Sequence, residues 1–372
     1  MSPLAPIRDT RSCLLSPRRC AVRFLRLCLF AVLLTLTTVQ AGRAQPDWQV
    51  RDPVPYGLHP DSLERVFARA DALDPLNSLL VAVGPDLVAE QYVRGMRASR
   101  GVNVKSASKS ILSALVGIAL HEGALDSLDQ PIGPFFPDLL ADAPRKQQIT
   151  LRNLLTMQAG LESTSFGNYG AWVSSSNWVR DALERPLTDA PGTDMTYSTG
   201  TSHLVSVLLT KATGVPTRRY AQEKLFDPLG VRIRSWQQDP QGYYFGGNNL
   251  ALTPTALLRF GQLYLNGGRW NGTQVVPRDW VDASWHTYVQ RTYRGFHFGY
   301  FWWHEDFGGR HAYFAWGYGG QFVFVVPSID LVAVITSSLT NRPEDSGDHS
   351  GRIFRFVDET LIPALDPARR LP

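Results

Sequence analysis

Ser106 and Lys109 stand three residues apart in the run Ser106-Ala107-Ser108-Lys109, which opens a long apolar stretch. On a helix this spacing puts both side chains on one face, within reach of each other. A serine hydroxyl attacks a carbonyl only when a neighbour takes its proton. A lysine can take it if burial or a nearby positive charge brings its pKa well below about 10.4. A helix N-terminus beside the serine would add N–H groups that favour the charge developing on the attacked carbonyl. The chain has five lysines, and only Lys109 follows a serine at this distance. Ile111, Leu112 and Leu115 would help to bury its ammonium group. Read alone, the same string also fits a serine cap followed by a solvated lysine.

Two further segments carry residues of the right kind. Tyr197-Ser198-Thr199 precedes an apolar helical run, so the Tyr197 phenol can project from a turn. A phenol near an amine can pass a proton between nucleophile and leaving group. An ordinary buried tyrosine fits equally. Trp316-Gly-Tyr-Gly-Gly-Gln321 joins two strand-like runs, and Gly319 and Gly320 permit close backbone approach by a ligand or another strand. A tight turn would use the same residues.

The elements that must hold these groups follow from periodicity. A helix begins near Asp61-Ser62, with Leu63, Val66, Phe67 and Ala70 on one face. Ser78–Val83 and Leu87–Val93 read as a hairpin around Gly84-Pro85-Asp86. Helices are predicted over Ser106–Leu120, Ile149–Met157, Ser202–Thr213, Pro254–Leu265, Pro277–Trp285 and Arg352–Leu361. Strands are predicted over Phe298–His304, His311–Trp316, Gln321–Val326 and Leu331–Thr336. Gly160–Pro191 reads as a long loop with one short helix at Trp178–Leu183, and long ordered loops within a domain are usually functional. The expected architecture is of the α/β (α+β) class. An antiparallel sheet from both chain ends is flanked by helices, and the middle of the chain forms a mostly helical lobe.

The 372 residues suffice for a substantial core, and 44% hydrophobic with 19% charged residues fits a globular enzyme. Of 37 basic and 33 acidic side chains, seven arginines and one aspartate lie up to Ala44. The remainder therefore has 30 basic and 32 acidic groups, which gives no reason to expect nucleic acid as a partner. The basic, then apolar, then small-residue order of residues 1–44 reads as a signal peptide. Export to the periplasm or medium is expected, with residues 45–372 as one domain and no stable membrane span once the leader is removed. All three cysteines (Cys13, Cys20, Cys28) lie in that leader. The body therefore offers neither a disulfide framework nor a thiolate nucleophile.

Taken in order, these segments resemble the serine β-lactamase and penicillin-binding-protein superfamily over nearly the whole body. Members carry S-x-x-K at a helix start, then Y-x-N, then a Lys-Thr-Gly or His-Thr-Gly equivalent on an edge strand. Ser106/Lys109, Tyr197 and Tyr318-Gly319-Gly320 occur in that order. The stretches beginning at Gly123, Ile149, Gly246 and Gly319 are similar to the family as well. The resemblance implies Ser106 as nucleophile, Lys109 as base and Tyr197 as proton shuttle. It further implies an oxyanion site between the N–H groups of Ser106 and Gln321, and needs no cofactor or metal. Thr199 replaces the asparagine of lactam-processing members, and Tyr318 replaces their strand cation. Both departures point toward members similar to 6-aminohexanoate-dimer hydrolases and family VIII carboxylesterases, acting on small esters or amides. The insertion with Tyr169, Trp172, Asn177 and Trp178 is expected to wall the substrate pocket.

Other chemistries lack their residues. There is no G-x-S-x-G elbow, and Gly347-Asp-His-Ser350-Gly351 has the wrong spacing. The eight histidines show no H-E-x-x-H. His297, His304 and His311 recur every seven residues, a period that in extended strands does not gather them on one face. Two alternatives stay open at this stage: a catalytically silent sensor binding a cell-wall peptide, and a true β-lactamase or D-Ala-D-Ala carboxypeptidase.

Overall fold

Two segments far apart in the chain share one sheet because each presents runs of β-branched and aromatic residues. In chain order the strands are β1 (Leu76–Val83), β2 (Asp86–Tyr92), β3 (His297–Phe298), β4 (Trp303–Phe307), β5 (Arg310–Gly317), β6 (Gln321–Val326) and β7 (Leu331–Ser337). The computed structural model, which describes residues 49–56, 60–290, 292–339 and 348–366, orders them β2-β1-β7-β6-β5-β4-β3. Each neighbouring pair is antiparallel. The expected sheet from both chain ends is therefore present. The expected leader, residues 1–44, lies outside the described residues. Among those described, no helix is long and apolar enough to cross a membrane.

The helices that matter for the site are α1 (Pro60–Asp71), α2 (Ser108–His121), α3 (Leu151–Leu155), α4 (Tyr169–Ser174), α5 (Trp178–Glu184), α6 (Thr199–Thr213), α7 (Pro254–Leu265), α8 (Arg278–Trp285) and α9 (His349–Phe356). Central β6 reads Gln-Phe-Val-Phe-Val-Val, and all of its residues are buried because helices cover both faces. Phe322 and Phe324 point toward Phe354 of α9, with ring centroids 5.2 and 6.3 Å away. Val323, on the opposite face, packs on Gly261 of α7, where an added Cβ would lie 2.9 Å from the valine. The alternation of a strand thus becomes two packed layers.

Helix α2 is buried from Ser108 to Ala119, so it shows little amphipathic stripe, as a helix enclosed on all sides should. Burying each of its large aliphatic side chains contributes roughly 1.5–3 kcal/mol. Two of its serines donate to backbone carbonyls: Ser108 Oγ to that of Lys105 at 2.7 Å, one turn back, and Ser110 Oγ to that of the distant Phe301 at 2.7 Å. Gly117 is required where Trp280 of α8 lies on α2, since a Cβ there would sit 2.2 Å from the indole.

Two expectations need correction. The segment Phe298–His304 is not one strand. It folds back as β3 and β4, with Gly299 N–H donating to the Trp302 carbonyl at 2.8 Å and Phe301 at φ +59°. Gly160–Pro191 is likewise more ordered than a loop, because it contains both α4 and α5.

Candidate active site

Ser106 sits in a short 3₁₀ turn, Lys105–Ala107, that leads into α2, and not in the α-helix itself. The turn is built from polar neighbours. Asn103 Oδ1 accepts the Lys105 N–H at 3.0 Å, and Asn103 Nδ2 donates to Asn249 at 2.8 Å. Lys105 holds φ at +51°, a conformation that a residue with a Cβ adopts at a cost and that marks constrained turns. Gly317, the last residue of β5, closes over this turn. A Cβ there would lie 2.2 Å from the Val104 carbonyl and 3.2 Å from the Ala107 nitrogen. Only glycine lets the strand end approach the serine turn so closely.

Lys109 reaches back from the first turn of α2. Its Nζ is 3.1 Å from Ser106 Oγ, 2.8 Å from the Gly247 carbonyl and 3.4 Å from Thr199 Oγ1. The side chain is 3% exposed, and burial pulls its pKa down to about 7. Nothing in the sequence singled out Gly247. It has φ +90°, and an added Cβ would come 2.8 Å from the lysine nitrogen and 2.4 Å from Ser202 Oγ. The adjacent glycines at 246 and 247 were the available signal.

Tyr197 precedes α6, whose N-cap is Ser198. The Ser163 hydroxyl donates to the Tyr197 carbonyl at 2.7 Å, fixing the backbone before the helix. The ring stacks on Trp303 at 6.1 Å between centroids, and Lys109 Nζ lies 5.2 Å from the ring centre. Burial raises the phenol to about 12, and a hydrogen bond with Ser106 partly counteracts it. Ser106, Lys109 and Tyr197 therefore form one bonded cluster, with the lysine the easier group to deprotonate.

Above Ser106 opens a cavity of about 400 Å³ whose lining includes Phe166, Tyr197, Trp303, Trp316, Tyr318 and Gly319. Tyr318 and Gly319 thus line the same cavity as Ser106. Other expected residues lie elsewhere. Gln321 is buried in β6 and does not line the cavity, and its amide donates to the Ser337 carbonyl at 2.8 Å. Gly320 packs where a Cβ would meet Ser337 and His349. Thr199 stands behind the lysine, sharing a 3.0 Å hydrogen bond with Ser165.

The insertion does not wall the cavity as expected. Trp172 is wholly buried, donates its indole N–H to the Trp178 carbonyl at 2.9 Å and packs on Phe245 at 5.5 Å. Its size favours the core of the lobe over a solvated wall. Asn177 caps α5 through the Arg180 N–H at 2.9 Å. Tyr169 accepts from Asn248 at 2.6 Å. The insertion's contribution is Phe166, an exposed aromatic at φ +53° that no periodicity marked.

The histidines also differ from expectation. Because β3 and β4 fold back, His297 lies directly opposite His304, and their rings stack at 5.3 Å. His304 Nδ1 meets His311 Nε2 at 3.1 Å, and His311 Nδ1 meets Asp306 at 2.7 Å. Burial first, then the neighbouring imidazoles, bring His304 down to about 4. The cluster spans β3, β4 and β5, with His304 next to Trp303 in β4. Among the described residues, no group of three or more such side chains is arranged to hold a metal.

An antiparallel sheet flanked by helices, with a serine and a buried lysine one turn apart under a glycine-ended strand, defines a class of serine hydrolase. The family model described as Beta-lactamase matches residues 77–357, and the chain belongs to that β-lactamase-fold serine hydrolase family. It is 24% identical over 226 residues to the 6-aminohexanoate-dimer hydrolase of Paenarthrobacter ureafaciens, covering 56% of each chain, so it spans about half the length of that relative. Among solved structures it is similar to EstCE1, a hydrolase with promiscuous acyltransferase activity (TM-score 0.64, 17% identity, 81% of this chain and 98% of that one). It is also similar to the octameric penicillin-binding protein homologue from Pyrococcus abyssi (TM-score 0.63, 16% identity, 84% and 79%). The structural likenesses at these identities carry the fold.

Proposed function

We propose that the protein hydrolyses small esters or amides through an acyl-enzyme on Ser106. The observation that carries this reading is the 3.1 Å separation of Ser106 Oγ from a buried lysine nitrogen whose pKa lies near 7. The neutral amine of Lys109 accepts the Ser106 proton as Oγ attacks the substrate carbonyl. Tyr197, protonated across the working range, relays a proton to the departing alcohol or amine. Water then enters by the reverse path, releasing the acid and restoring the serine.

The oxyanion sits against the Ser106 N–H. For the second donor we favour the Tyr318 N–H over that of Gln321. Gly317 brings the strand end onto the serine turn, and Tyr318 lines the cavity while Gln321 faces Ser337. One such donor contributes about 2.7–4 kcal/mol in related chemistry. Thr199 offers no amide to a substrate, and no lysine stands on β5, which favours ester or simple amide substrates over β-lactams. Export to the periplasm or medium, read from the leader, belongs to the same proposal.

The test is Ser106→Ala with p-nitrophenyl acetate and butyrate, nitrocefin and a linear aminohexanoate amide. Short-chain ester hydrolysis is expected in the wild type, little nitrocefin turnover, and no ester turnover in the folded variant. Normal turnover by folded Ser106→Ala removes the assignment. A wild-type protein that a fluorophosphonate fails to label at Ser106 would instead support the silent binder.

A further inference from the structure

The cavity wall is largely aromatic, and two of its residues stand out. Phe166 is 72% and Tyr318 67% exposed, and together they make up half of the four large hydrophobic side chains that are exposed among the described residues. Both lie at the mouth over Ser106. Aromatic surface left in water at a catalytic mouth provides contact area for an apolar part of a ligand.

The charges at the same mouth are arranged differently. Arg294 is the only arginine or lysine among the described residues lining the cavity. Its guanidinium is engaged by Asp348, with Nη1 donating to Oδ2 at 2.9 Å and Nη2 donating to Oδ1. This two-pronged geometry is the strong form of such pairs. The guanidinium holds the Asp348 carboxyl below its ordinary range. Asp348 also caps α9, accepting the Gly351 N–H at 3.0 Å. A residue whose backbone role is helix capping is thereby fixed beside the cavity's cation.

We propose that Asp348 is a specificity-determining residue: by occupying Arg294 at the cavity mouth it selects uncharged, apolar acyl esters and amides and disfavours substrates that carry a carboxylate. This rests on the reading of Ser106 as an acylating nucleophile. Neutralising Asp348 would take its negative charge away from beside Arg294 and make the cavity mouth more attractive to a substrate carboxylate.

The experiment compares p-nitrophenyl valerate with mono-p-nitrophenyl glutarate. Their acyl chains have the same number of carbons, and only the second ends in a carboxylate. Wild-type turnover of valerate at Ser106 tests the hydrolase reading by itself. The ratio of kcat/KM for glutarate to that for valerate tests the inference. Asp348→Asn keeps the cap, since Asn caps as well as Asp, and should raise that ratio about tenfold, mainly through KM for glutarate. Asp348→Ser, also a good cap without charge, should act in the same direction and guards against a folding defect in one variant. Adding Arg294→Gln to Asp348→Asn should cancel the gain. The proposal is overturned if the ratio stays within threefold of wild type in both single variants, or if the gain survives the loss of Arg294. If valerate itself is not turned over, the underlying reading falls first.

Discussion

Replacing Lys109 by methionine should abolish hydrolysis and yet make the protein more stable near pH 6. The wild-type amine sits 3% exposed, with its pKa lowered by burial from 10.5 to about 7. That depression corresponds to roughly 5 kcal/mol of penalty on the buried ammonium form. At pH 7 about half the lysines are then free base, roughly a thousand times more than for an ordinary lysine. The same displacement fixes the pH dependence of stability. Between about pH 7 and 10.5 the unfolded chain keeps a proton that the folded chain has lost, so wild-type stability rises with pH across that window. Below pH 7 both forms are protonated and the whole penalty is present.

Methionine removes the penalty with little change in shape. It also strips the Gly247 carbonyl of the donor now 2.8 Å away, which costs about 1–3 kcal/mol. The net expectation is a gain of about 2–4 kcal/mol at pH 6, shrinking as the pH approaches 10. Urea unfolding of both proteins at pH 6 and pH 9 measures this directly. In parallel, wild-type kcat/KM on a p-nitrophenyl ester should fall tenfold per pH unit below about 6, with an apparent pKa near 7. A rate flat down to pH 5, or a methionine variant less stable than wild type at pH 6, would refute the claim that a desolvated amine serves as the base.

Tyr197→Phe keeps the stacking on Trp303 but removes the phenol next to Ser106. Its kcat should drop by about 10²–10⁴ with little change in thermal midpoint, as read by steady-state kinetics and calorimetry. Gly247→Ala places a methyl 2.8 Å from the lysine nitrogen at φ +90°. It should displace the amine, lower kcat at least roughly a hundredfold and destabilise by about 1–3 kcal/mol, measured by kinetics together with denaturation. His304 is held neutral to about pH 4, so the folded state resists a proton that the unfolded chain accepts near 6.5. Stability should therefore fall as pH drops from 6.5 toward 4, and His304→Gln should flatten that slope in urea titrations.

Much of the fold is legible in the sequence because its signals are local. The run Phe322–Val326 is apolar at every position, as expected of a strand covered on both faces. The all-round apolar run after Ser106 likewise marks an enclosed helix. Where the reading failed, a backbone reversal escaped a pattern that is apolar on both sides of it. Phe298–His304 looks like continuous strand because Tyr300, Phe301 and Trp302 are all buried, though they form the turn between two strands. That one reversal brings His297 onto the His304 ring, beside the hydrogen-bonded pair His304–His311.

The site divides in the same way. Ser106 and Lys109 are legible because their contact depends on spacing within one helical segment. Tyr197 follows from its position before a capped helix. The residues that contact the lysine come from elsewhere: Gly247 carries no side chain to mark its carbonyl, and Thr199, at the position of the asparagine of lactam-processing members, faces the amine. Trp172 and Asn177 were misread for a physical reason. An aromatic-rich segment satisfies either a pocket wall or a lobe core, and composition does not separate the two. Burial does, because Trp172 is enclosed with its N–H bonded, whereas Phe166 is held outward by a positive φ. The lysine's low pKa is therefore a property of the assembled protein and not of the four-residue string. It comes from burial alone, which outweighs the Gly247 carbonyl and the Tyr197 ring, two partners that by themselves favour the charged amine. Gly247 and Tyr197 arrive from two segments that only the folded chain brings against Lys109.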